Sequence, residues 1–105
     1  MKVQLLYFDD CPNYGRTLEL IESVAEELGT SIEVECIRID SAEEAVRRRF
    51  VGSPSVRVEG EDVDPEVRDS RDFGMACRRY GESGVPPRDL IRAALRSENG
   101  NGGSS

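Results

Sequence analysis

The first apolar run, VQLLYF at Val3 to Phe8, offers almost no polar face before it stops at Asp9 and Asp10. A strand solvated on one side alternates apolar and polar residues, so a largely unbroken run of this length belongs to a central strand covered on both faces. The sheet around it therefore needs a layer on each side, and the rest of the chain supplies them. From Pro12 onward Leu18, Ile21, Val24, Ala25 and Leu28 recur at three- and four-residue spacings, with Glu19, Glu22, Glu26 and Glu27 largely between them and Gly29 as a stop. That periodicity predicts an amphipathic helix of about four turns.

Ile32 to Ile39 begins with strict alternation, Ile32, Val34 and Cys36 against Glu33 and Glu35, and reads as a half-buried strand near an edge with Cys36 facing the core. Ser41 and Glu44 have capping-box spacing at the head of a second helix, SAEEAVRRRF, in which Glu43/Arg47 and Glu44/Arg48 are helix-supporting pairs. Arg47, Arg48 and Arg49 are thereby a solvated helix face rather than an anion site. After Gly52 to Pro54, SVRVEGEDVD predicts a hairpin turning at Gly60 and Glu61. Asp64 to Gly84 has little periodicity and is long for a connection, the kind of loop that carries function or moves. Pro86 and Pro87 introduce a last helix through Leu90, Ile91, Ala94 and Leu95. The expected fold is α/β, β1-α1-β2-α2-β3-β4-α3 along the chain, one four-stranded mixed sheet flanked by helices. A single domain spans residues 1–97, and the polar, Gly-rich residues 98–105 form a disordered tail.

Charge removes several function classes. With 14 basic against 21 acidic residues and a net charge of −7, the surface repels phosphate backbones and anionic lipid, so neither nucleic acid nor a membrane is an expected partner. The chain has no histidine, which eliminates Cys/His dyads, Ser/His/Asp triads, mixed Cys/His zinc sites and histidine-ligated haem. The reactive group left near neutral pH is thiol. Cys11, Cys36 and Cys77 are an odd number at wide spacing, and MKVQLLYF is too short an apolar run for a secretory segment or a membrane span. A cytoplasmic protein with mostly reduced thiols and no cofactor is expected.

At this point the residues resemble a family. Cys11 and Pro12 at the strand-to-helix junction, and FVGSPSVRV at Phe50 to Val58 with Gly52, Ser53, Pro54 and Ser55 opening the third strand, make the chain similar to the thioredoxin-like superfamily over residues 2–63 and the final helix. More narrowly, it resembles small proteins with an FDxCPN start, a GSP turn and a late cysteine before an aromatic residue, here Cys77 and Tyr80, some of which are labelled alkylmercury lyases. The resemblance implies a cis Ser53–Pro54 bond that turns the Ser53 backbone toward Cys11 and leaves its polar groups for an extended peptide or glutathione. Without the resemblance, an ordinary trans turn is the simpler reading.

A helix starting at Pro12 would make Cys11 its N-cap, where unpaired N–H groups and the positive dipole end favour a thiolate, while Asp9 and Asp10 oppose one unless they turn outward. The reading is a moderately activated nucleophile rather than a packed apolar cap. Tyr14 stands where a dithiol motif carries its second cysteine, so local CxxC exchange is impossible. Tyr14 either covers the sulfur or packs between helix and loop. Cys77 is either a resolving thiol, if its Cα comes within about 7 Å of that of Cys11, or a buried loop anchor.

The expected activity is thiol-disulfide exchange on a disulfide-containing protein or a low-molecular-weight thiol. Cys11 is the nucleophile, Cys77 or an external thiol the resolving group, and Ser53, Pro54 and Tyr14 bind substrate. The alternatives are a Cys11/Cys77 thiolate clamp for a soft ion such as Hg(II) or Cu(I), and a non-redox interaction module of the same fold. Carbon–mercury cleavage would need two thiolates and a proton donor, for which Asp9 or Asp10 is near in sequence.

Overall fold

Lys2–Tyr7 forms β1, which lies inside a four-stranded sheet with a neighbour on each side. The computed structural model describes residues 1–9, 12–68, 70–71, 73–74, 80 and 84–104, excepting the side chains of 66 and 97–104. The other strands are β2 (Glu33–Arg38), β3 (Ser55–Val58) and β4 (Glu61–Asp62), in the order β2-β1-β3-β4. β2 is parallel to β1 with Cys36 opposite Leu5, and β3 is antiparallel with Val56 opposite the same Leu5. Parallel neighbours need a crossover, which α1 (Tyr14–Leu28) provides.

Val3, Leu5 and Leu6 are fully buried although Leu5 and Leu6 belong to opposite faces, the double coverage that the unbroken apolar run requires. On one face Val3, Leu5, Val56 and Val58 pack with Ile21 and Val24 of α1 and with Ile91 and Leu95 of α3 (Arg88–Ser104). On the other, Leu6, Ile37 and Ile39 pack with Phe50 and with Ala45 of α2 (Ala42–Arg47). The protein is therefore of α/β class, a mixed sheet with helices on both faces.

Helix ends follow local chemistry, with one shift that matters. Gly29 at φ 65 stops α1, its N–H donating to the Glu26 carbonyl (3.1 Å) and that of Thr30 to the Ala25 carbonyl (2.9 Å). At the other end α1 begins at Tyr14 with Asn13 as N-cap, so Cys11 stands two residues before the cap instead of occupying it. Thr17 explains this: its N–H (3.0 Å) and its hydroxyl (2.7 Å) both donate to the Asn13 carbonyl, closing the first turn there and leaving Pro12 in the preceding turn. In α2 the Ser41 hydroxyl accepts from the Glu44 N–H (3.1 Å), as the spacing predicts, and Glu44 alone pairs with both Arg47 (3.2 Å) and Arg48 (3.5 Å).

Cys36 corrects the expectation of a core thiol: it is exposed. β2 is an edge strand whose buried side chain, Ile37, faces α2 together with the following Ile39, while its α1 side contributes only the half-buried Val34 beside Ile32. Alternation identified two faces but α1 covers the central strands, so the outer half of that face is left to solvent. The hairpin turns at Glu59 and Gly60, one residue earlier than expected, with φ 51 and 89. Two successive positive φ values are those of the type I′ turn, whose twist matches the flanking strands.

Among the described residues of 64–84 the regular structure is one short 3-10 turn, Pro65–Val67. α3 runs to Ser104, over the residues whose composition predicts a disordered tail. Gly100, Gly102 and Gly103 lie within its span, although each costs a helix about 1 kcal/mol relative to Ala. Glu27 joins the two helices of the first face, bonding Arg88 (2.6 Å) and Arg92 (2.9 Å), and these guanidiniums, Arg88 foremost, lower its carboxyl to about 2. No described helix is long and apolar enough to cross a membrane.

Candidate functional site

The Gly52 to Ser55 turn is a buried element that carries polar groups. Gly52, Ser53, Pro54 and Ser55 are all buried, the Ser53–Pro54 peptide is cis, and Gly52 adopts φ 138, a conformation that glycine tolerates. The Ser55 hydroxyl donates to the Gly52 carbonyl and closes the turn. Ser53 is only 1% exposed, yet its Oγ has no hydrogen-bond partner among the described residues. A buried hydroxyl without a partner costs about 1–3 kcal/mol.

Two contacts bring the long connection back to this corner. The Tyr80 hydroxyl donates to the Pro54 carbonyl at 2.6 Å. Gly84, at φ 72, lies so close to the Asn13 side-chain amide that a Cβ there would overlap it. The first contact ties the chain beyond Cys77 to the turn before β3, and the second ties it to the start of α1. Cys11 and Cys77 themselves lie outside the described residues, as does Asp10. Asp9 is exposed and directed outward, its carboxylate 3.5 Å from the Arg38 guanidinium, which also binds Asp40 at 2.8 Å. One of the two carboxylates before Cys11 in sequence is thus paired on the protein's exterior.

Tyr14 is positioned by its neighbours on the sheet. Its ring stacks on Tyr7 with centroids 4.1 Å apart and planes at 30°, and its hydroxyl is electrostatically linked to Cys36 of β2. That interaction, partial burial and the negative charge of Cys36 at high pH push the Tyr14 phenol up to about 12 from an ordinary 10.0. A folded-state pKa above the unfolded one means stability that is complete below pH 10 and lost as pH rises through about 12. Tyr14→Phe is accordingly expected to cost about 1 kcal/mol at pH 9, with the gap to wild type closing at strongly alkaline pH. Denaturant unfolding at stepped pH, with tyrosinate absorbance showing one of the three tyrosines ionising late, checks it.

Sequence reasoning placed Ser53, Pro54 and Tyr14, and the structure sets Ser53 and Pro54 in one buried turn while the Tyr14 hydroxyl is linked to Cys36 on the edge strand. It missed the Tyr7/Tyr14/Cys36 cluster and the Gly84 contact. Register could have found the cluster, since Cys36 pairs with Leu5 and β1 returns to the same face at Tyr7. Nothing local announces that Gly84 meets Asn13. Among the described residues no three of Cys, Asp and Glu are grouped as metal ligands.

Fold and site together define an α/β protein with a mixed four-stranded sheet and a buried, polar Gly-Ser-Pro-Ser turn at one end of its central strands. No protein-family model, no curated protein and no solved structure matches the chain.

Proposed function

We propose that the chain is a thioredoxin-like thiol protein, a thiol-disulfide oxidoreductase with Cys11 as nucleophile and Cys77, or an external low-molecular-weight thiol, as resolving group. The observation that carries this reading is a convergence. β1 and β3 pair antiparallel with Leu6 opposite Ser55, so Pro54 follows on beside the end of β1, from which the Cys11 segment departs, and Tyr80 binds the Pro54 carbonyl. Cys77 precedes Tyr80 by three residues in the sequence. The strand order, the parallel β1/β2 pair and the turn opening β3 accord with the same fold.

The Cys11 thiolate attacks one sulfur of a substrate disulfide; its S–S bond forms as the substrate's breaks, and the departing thiolate takes a proton from solvent. A second thiolate, Cys77 or a glutathione-like thiol, then attacks Cys11 and releases the remaining substrate thiol. An external thiol reductant returns the two electrons. The backbone of the Ser53–Pro54 turn pairs with the substrate backbone, and Tyr14 borders the site through its ring. A chemistry that must be re-reduced in each cycle belongs in a reducing compartment such as the cytoplasm, with disulfide-bearing proteins or small thiols as partners.

Rate-resolved alkylation of wild type, Cys11→Ser and Cys77→Ser across pH 5 to 9, with intact mass before and after reductant, tests it. A loss of two hydrogens on oxidation that disappears in either variant establishes the Cys11/Cys77 pair. Fast labelling at Cys11 without that loss supports the external resolving thiol, and uniformly slow labelling ends the redox reading.

A further inference from the structure

A concavity lies between the β3–β4 hairpin and the chain at Pro65, Val67, Arg68 and Phe73. It encloses about 590 Å³, within the range of small-molecule sites. Val51, Pro65, Val67 and Phe73 give it apolar lining, and the guanidiniums of Arg49, Arg57 and Arg68 give it charge.

These cations are not equivalent. Arg68 is engaged by the wall itself, its Nε donating to the Asp62 carbonyl (2.9 Å) and its Nη1 lying 3.5 Å from the Glu61 carboxylate. Arg57 is held in place, Nη2 donating to the carbonyls of Arg48 (2.7 Å) and Arg49 (2.8 Å). That fixes one guanidinium before any ligand arrives and limits the ordering cost of binding. Arg49, exposed and at φ 58, carries no ion pair among the described residues.

We propose that this groove binds an organic monoanion, an aromatic or branched apolar body bearing one carboxylate. The body fits against Val51, Val67 and Phe73, and the carboxylate meets Arg49 beside the immobilised Arg57. A single negative charge is favoured for two reasons. Glu61 and Asp62 also line the groove, and a protein of net charge −7 repels polyanions. Among the lining residues three guanidiniums stand against two carboxylates, which leaves one positive charge to balance.

Phenylacetate, phenylacetamide and inorganic phosphate, titrated into the ¹⁵N-labelled full chain and into Arg49→Gln, distinguish the outcomes; the substitution is at an exposed position outside both cores. Phenylacetate is expected to shift the amides of Val51, Arg57, Gly60 and Val67 saturably in the millimolar range. Binding should weaken about fivefold both in Arg49→Gln and for the neutral amide, the upper end for an exposed ion pair. Equal binding of phenylacetamide, equal binding of phosphate, an unaffected Arg49→Gln, or no saturable shift at these residues would each overturn the assignment.

Discussion

Cys11→Ser is expected to reduce a glutathionylated peptide at least about 10³-fold more slowly than wild type, with glutathione as electron donor. The hydroxyl is a poor nucleophile at neutral pH, and the chain contains no histidine that could activate it. Cys36, the cysteine among the described residues, is on the edge strand β2, away from the strand that the Gly52 to Ser55 turn opens. Cys77→Ser separates the two routes of resolution. Should Cys77 resolve the intermediate, its loss traps the substrate on Cys11 and makes turnover depend on glutathione concentration; should the external thiol resolve it, turnover is unchanged. A Cys11→Ser protein as active as wild type in this assay would refute the proposed nucleophile.

The helix start bears on how reactive that thiol is. A helix dipole acts over roughly its first turn, most strongly on groups at the cap. With Asn13 rather than Cys11 at the cap, the field available to Cys11 is weaker than the Pro12 start implies, while the outward Asp9–Arg38 pair removes one opposing charge. The two corrections pull in opposite directions. Neither was accessible from composition, because each depends on where a single turn closes.

The parts of the fold that were legible rest on short-range rules. The Val3 to Phe8 run implied coverage on both faces, and Val3, Leu5 and Leu6 meet two separate cores. Gly29, Ser41 and Glu44 act at the helix ends where their chemistry predicts. What was illegible needs three-dimensional proximity. Alternation cannot say how far α1 extends over β2, so Cys36 was assigned inward when only its strand neighbour Leu5 is covered. Tyr80 and Pro54 are 26 residues apart, and a phenol bonded to a carbonyl leaves no periodic trace. Arg57 likewise reads as an ordinary outward strand residue, although it caps the carbonyls at the end of α2.

Phe50→Ala is expected to destabilise the protein by about 3–5 kcal/mol, a large part of the roughly 5–15 kcal/mol typical of a whole domain. Phe50 is fully buried and is the largest side chain of the second core, packed with Leu6, Ile37, Ile39 and Ala45. That core covers the α2 face of the sheet with one six-residue helix, so little else can collapse into the space. The backbone at Phe50 is a junction too: its N–H donates to the Ala45 carbonyl (2.8 Å) and its carbonyl accepts from Gly74 (3.0 Å), two residues before the Gly52 to Ser55 turn. Loosening it should therefore reach the 65–74 segment and the turn itself. Urea unfolding is expected to show a midpoint lower by about 2–3 M for an m-value near 1.5 kcal/mol per M, and limited proteolysis to cut faster around 65–74. Val46→Ala, at a position 57% exposed on the same helix, serves as control and should leave the midpoint nearly unchanged. A Phe50→Ala loss no greater than that of Val46→Ala would mean that the second core is not packed as described, and the turn that depends on it would lose its support.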